Sequence, residues 1–121
     1  MANGINFILV FLGGGLGSVL RFSLGLIFQK STLSLPLATL FANVSACVVF
    51  AFALLYIETK PEYSQLTRVL ILTGFCGGLS TFSTFGYESY LLLKQSQYLW
   101  VIVNVVLSLT LCIGSFALIK K

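Results

Sequence analysis

Between Gly74 and Glu88 the chain reads GFCGGLSTFSTFGYE, and the chemistry these residues offer is ion handling rather than bond making. Gly77 and Gly78 are adjacent, Ser80, Thr81, Ser83 and Thr84 supply hydroxyls, and Phe82 and Phe85 stand three residues apart. The glycine pair falls at the middle of Val69–Tyr87, a run without Asp, Glu, Lys or Arg. A helix in lipid keeps regular backbone unless protein or a cavity satisfies the freed N–H and C=O groups. Two readings follow: a helix broken near mid-membrane to bind or pass an ion, or an intact helix whose glycines permit a close crossing.

In the first reading, two antiparallel copies paired about an axis in the membrane plane would meet at this depth. The carbonyls freed at Gly77–Ser80 would converge there, and such hard oxygen ligands suit a cation like Na⁺. Phe82 and Phe85 share a helix face, and an aromatic ring has a negative face but a positive edge. Their edges could attend a small anion without a fixed charge; alternatively, the rings face lipid or the core. Hydroxyls donate to anions or accept from water, though on helices they also bond back to carbonyls. Thr81, Thr84 and Glu88 form one such stripe, and Ser80 with Ser83 another.

Other helices carry further candidates. Thr39 and Asn43 are one turn apart, and the Asn43 amide either donates to an anion or joins helices. Gly13, Gly17, Arg21 and Gly25 recur every four residues, the spacing of a close helix crossing. Arg21 on that face either snorkels to the interface or lines an anion-attracting vestibule. GGGLG in this run lacks the GK[ST] ending of a phosphate loop. Asn104, Ser108, Cys112 and Ser115 make one polar face near the C-terminus, either pore lining or a packing seam.

The elements that must position these groups are membrane helices. The 121 residues are 58% hydrophobic and 8% charged, which excludes an ordinary soluble domain. Charged residues divide the chain into Met1–Leu20, Ser31–Ile57, Val69–Tyr87 and Gln95–Ile119. Each is near or above the roughly 20 residues that cross a bilayer. The expectation is an all-α membrane protein with four transmembrane helices in one domain over residues 1–121. The spans run from about Ile5 to Gln29, Leu35 to Ile57 (Pro36 in its first turn), Leu66 to Leu93 and Tyr98 to Ile119. Glu58–Gln65 is the wet loop and Lys94–Gln97 a tight turn. The first apolar run has no basic stretch before it and no small-residue cleavage pattern, and reads as a span rather than a signal peptide.

Four spans place Lys60, Arg68, Lys120 and Lys121 on one side, and Lys30, Lys94 and the near-terminal Arg21 on the other. So weak a positive-inside bias fits insertion in both orientations, and hence an antiparallel dimer. A net charge of +4, dispersed along the chain, excludes nucleic acid as a partner. Histidine is absent, and Cys47, Cys76 and Cys112 fall in different spans without a Cys-x-x-Cys pair. That leaves no zinc cage or disulfide framework, and the cysteines read as apolar core.

At GGGLGSVLRF, at Asn43, and at GFCGGLSTFSTFGYE, the chain resembles the Fluc (CrcB-like) family of fluoride channels, across all four spans. The resemblance implies an antiparallel, dual-topology homodimer in a prokaryotic inner membrane, surrounded by lipid. It further implies two fluoride pores and a structural Na⁺ on the two-fold axis. By position, Phe82 and Phe85 match the family's aromatic pore residues and Asn43 its pore asparagine. Thr39, Ser83 and Thr84 match its hydroxyl track, and Arg21 matches the first-span arginine; Ser108, on the polar face of the last helix, is taken with them as pore lining. Gly77 and Ser80 match the break whose carbonyls hold the sodium. In span 2, ATLFANVSAC stands in place of a GTLxxNxxG-like run, and Asn104 stands where a tyrosine is common. The implied activity is passive fluoride export that lowers toxicity, not an enzymatic reaction.

The rival expectation is a small dual-topology, proton-coupled multidrug exporter. Such a pump needs a titratable carboxylate deep in the bilayer. Glu88 is the acid nearest to any span interior, and it lies towards the end of span 3.

Overall fold

The computed structural model describes residues 3–119. Lys120 and Lys121, two residues in the topology count, lie outside the described residues. Helix α1 is Gly4–Phe28 and α2 is Leu37–Thr59. A 3₁₀ turn at Pro61–Tyr63 leads into α3, residues 64–79, followed by α4 at Phe82–Lys94. Helix α5, Tyr98–Ser115, runs on into a 3₁₀ turn at Phe116–Ile119. With the 3₁₀ turns counted and α3 and α4 taken together, four helical stretches of 25, 23, 34 and 22 residues are long and apolar enough to cross a membrane. The four-span, all-helical architecture expected from the charge-free runs is the observed one.

Local chemistry sets the ends. Asn3 caps α1, its Oδ1 accepting from the Asn6 N–H at 3.1 Å. Pro36 precedes α2 rather than sitting in its first turn, and its carbonyl accepts the N–H of Leu40 at 3.1 Å. Proline has no N–H to leave orphaned at a helix start.

Helices α1 and α3 meet backbone to backbone. Gly13 and Gly17 are buried, and a Cβ at Gly13 would fall on the Leu70 carbonyl oxygen, one at Gly17 on that of Phe75. From the other side, a Cβ at Gly78 would fall on the Gly14 carbonyl oxygen. The spacing of Gly13 and Gly17 is therefore a close crossing. Gly25 is different: a Cβ there meets nothing within 4 Å. Along this contact α3 winds as a π-helix over Arg68–Cys76, a form rare at such length and most often met at functional sites.

The core is small, built from Leu24, Ala42, Ala46, Cys76 and Leu79. Small residues on α2 let it approach α3, and Leu79, 1% exposed, fixes the last residue of α3. Outside, large apolar side chains such as Phe11 (79% exposed) face away from the protein. A surface this apolar needs lipid or another protein chain against it.

Candidate functional site

Two residues of extended backbone separate α3 from α4: Ser80 has φ −79° and ψ 156°, and Thr81 has φ −151° and ψ 120°. Leaving the helix after Leu79 strands the last carbonyls of α3 and the first N–H groups of α4. Side chains from three elements answer this. The Asn43 Oδ1 accepts from the Thr81 N–H at 2.7 Å, and the Asn43 Nδ2 donates to the Thr81 carbonyl at 3.3 Å. One amide thus replaces a helical donor and a helical acceptor together. The Thr81 hydroxyl caps α4, accepting from the Thr84 N–H at 3.2 Å. On the opposite side, Arg21 Nε donates to the Gly78 carbonyl at 3.1 Å, with the Ser18 hydroxyl at 3.5 Å from the same oxygen.

Arg21 therefore lies inward, on a helix C-terminus whose carbonyls carry partial negative charge. The Ser80 hydroxyl turns back onto the Cys76 carbonyl at 2.8 Å, as helical serines do.

Two cavities flank the extended segment, and Thr81 lines both. The first, about 260 Å³, carries polar groups on a largely apolar wall: Arg21, Thr39, Thr84 and Glu88 line it, with Gly25 leaving the space open. Thr39 and Glu88 share this wall, and Glu88 Oε1 is buried with no hydrogen-bond partner among the described residues. The second, about 230 Å³, brings together Asn43, Phe82, Phe85 and Ser108. The Phe82 and Phe85 rings lie 5.9 Å apart, tilted by 35°. Ser83 lines neither cavity; its hydroxyl is 3.4 Å from that of Thr81. Gly77 and Ser80 line a third, smaller cavity of about 150 Å³.

The polar face of α5 is buried: Asn104 is 1% exposed, and Ser108 and Ser115 are buried with it. Asn104 Nδ2 donates to Ser89 Oγ at 3.1 Å, and the Ser108 hydroxyl donates to Asn104 Oδ1 at 3.4 Å. Asn104 is thus the middle of a polar chain that ends at the aromatic cavity. Ser89 and Ser18 were not among the sequence candidates. Each had a readable signal: Ser89 follows Phe85 by one helical turn, and Ser18 precedes Arg21 by three residues on the glycine face.

These features define a small, multi-pass helical membrane protein whose buried polar groups gather around irregular backbone between two half-length helices. The family model described as CrcB-like protein, Camphor Resistance (CrcB), matches residues 8–119. Fluoride-specific ion channel FluC of Klebsiella pneumoniae (strain 342) is 41% identical over 109 residues, covering 90% of this chain and 84% of the relative. The proteins of the same name from Salmonella arizonae and Salmonella paratyphi B are each 38% identical over the same lengths. The chain belongs to the CrcB-like family, and it is an integral membrane protein of that family. Each of these relatives is named as a channel, neither an enzyme nor a proton-coupled exporter.

Proposed function

We propose that this chain is a passive, fluoride-selective channel. It works as an antiparallel, dual-topology homodimer in a bacterial inner membrane, with two pores and a Na⁺ between the copies. The observation that carries this is the joining of Asn43, Thr81, Phe82, Phe85 and Ser108 around one cavity, beside backbone that has left the helix. Fluoride is small and strongly hydrated, so a path for it must replace water with many weak donors. Asn43 spends one amide hydrogen on Thr81 and keeps the other. The phenylalanine edges and the first N–H groups of α4 extend the set, and the hydroxyls of Thr39, Ser83, Thr84 and Ser108 join it by rotating away from their resting partners. Arg21 adds positive potential on the vestibule side. Spread donors bind firmly enough for entry and weakly enough for exit. In the cell this lets fluoride that entered as neutral HF leave again.

The residues also fit a hard cation. In a continuous α-helix the Thr81 N–H would close the Gly77 carbonyl, and the Thr84 N–H that of Ser80. Here those donors are held by Asn43 and by the Thr81 hydroxyl. Gly77 is exposed, and a Cβ on it meets nothing within 4 Å of the protomer. The carbonyls of Gly77 and Ser80 from two copies would hold Na⁺, which supplies a fixed positive charge beside the pores. Phe82, 84% exposed in the single protomer, gains a wall in the same pairing.

Liposomes loaded with fluoride test the activity: purified protein should release fluoride without chloride and without a pH gradient. Equal chloride efflux, or no fluoride efflux, would sink the proposal. The pairing is tested by Gly77→Leu, whose Cβ enters open space in one protomer. It should break the dimer in cross-linking or light scattering; an intact, conducting dimer overturns that part.

A further inference from the structure

We propose that Cys47 and Cys112 form a two-coordinate site for a soft, thiophilic cation on the wall of the aromatic cavity. The register of two helices puts them there. Cys47 lies one turn beyond Asn43 on α2, and Cys112 one turn beyond Ser108 on α5. Residues four apart on a helix stack on one face. Asn43 and Ser108 line the cavity with the phenylalanines, so the two cysteines make the next rung of the same wall, and both do line it. Cys112 and Cys47 are close enough to interact, and both are free and only partly buried. Cys76 is buried and does not line this cavity.

The donor set selects the ion. Among the described residues no group of three or more His, Cys, Asp or Glu side chains could hold a metal. A four-coordinate zinc cage therefore has no ligands here. Two neighbouring thiols with no third soft ligand on the cavity wall suit ions content with linear coordination by soft ligands: Cu⁺, Ag⁺ and Hg²⁺. Binding Hg²⁺ forms two S–Hg bonds and releases the two thiol protons to solvent. No electron moves and no oxidant is needed.

A consequence for transport rests on the channel reading above. A cation fixed beside donors meant to hold fluoride weakly would turn a passing site into a trap, and conduction needs release as well as entry. Hg²⁺ is the probe, added to detergent-purified dimers and to fluoride-loaded liposomes in nitrate buffer. Two of the chain's three thiols should become unreactive together at one Hg²⁺ per chain, with the ultraviolet absorption of a bis-thiolate. Cys76→Ala should behave the same way. Cys47→Ser and Cys112→Ser should each lose the paired signature. Fluoride efflux, normalised to each protein's rate without metal, should fall about tenfold in the parent and in Cys76→Ala but not in the two serine variants. Independent reaction of the thiols, or a bis-thiolate signature that survives in Cys47→Ser, overturns the site. Paired thiol protection in a protein that never conducts fluoride supports the site and overturns the channel reading instead.

Discussion

The two ends of α4 are closed by different physics. Its start, at Thr81, is held by groups far away in sequence: Asn43 on α2 takes both polar backbone atoms of Thr81, and Arg21 on α1 takes the Gly78 carbonyl across the gap. Its end is closed by its own neighbours. Gln95, Ser96 and Gln97 donate their N–H groups to the carbonyls of Leu91, Leu93 and Leu92 at 3.0, 3.0 and 2.9 Å. Ser96 sits at φ 59°, so this is a Schellman closure. A local stop needs only the residues that make it. A stop held by other helices holds only in the folded protein, and it leaves polar backbone beside a cavity. That is the arrangement an ion path requires.

The largest expected effect comes from removing the long-range clamp. Asn43→Ala takes away the partners of one N–H and one C=O at Thr81, at a cost of about 3 kcal/mol for the two. Thermal unfolding in detergent should shift down, and fluoride efflux should fall to background. Asn43→Asp keeps the acceptor for the Thr81 N–H and loses the donor, so it should retain more stability than the alanine while still failing to conduct. If alanine and parent unfold alike, Asn43 does not hold the break.

Next is the approach of α1 to the same end. Gly17→Ala places a methyl group against the Phe75 carbonyl and the Leu79 N–H, both backbone, and overpacking of this kind costs about 2 kcal/mol. Gly25→Ala, on the same helix face, meets open space and should leave unfolding unchanged while narrowing the Arg21 vestibule. Equal destabilisation by both would mean that the glycine stripe is a single packing surface.

The difference between the two ends of α4 also explains what could be read in advance. Four spans followed from charge spacing alone, because lipid sorts residues by charge and length. Gly13 and Gly17 declared a close crossing by their spacing, yet that spacing alone could not separate Gly25, whose neighbours are set by α2 and α4. Asn43 could be placed at mid-span but not paired with Thr81, since a rotation of α2 by about 100°, one residue's worth, would aim it elsewhere. The cysteines read as unrelated apolar residues because no local spacing links them; helix register brings Cys47 to Cys112. Contacts made within a turn or two are legible, and contacts fixed by helix rotation are not.

A smaller effect is expected at the phenylalanines in the first turn of α4. Phe82→Ile and Phe85→Ile keep apolar bulk and remove the ring quadrupole, worth about 1 kcal/mol in the barrier, or roughly fivefold in efflux. The losses should differ, since Phe85 is partly buried and Phe82 is exposed in the single chain. Parent-like flux from both variants in well-folded protein would reduce the rings to packing.

The smallest effect belongs to the local end. Ser96 holds a left-handed conformation, which costs a residue with a Cβ about 1–2 kcal/mol and glycine nothing. Glycine in turn loses more backbone entropy on folding, by roughly 0.5–1 kcal/mol. Ser96→Gly should therefore stabilise the protein by about 0.5 kcal/mol, a small upward shift in detergent unfolding. Fluoride efflux should stay at the parent rate, because the closure of α4 at Gln95–Gln97 touches neither Asn43 nor the aromatic cavity. A change in efflux without a change in stability would show that the two ends of α4 are coupled, so that the rotation of α4 at its start is set in part by its closure at Ser96.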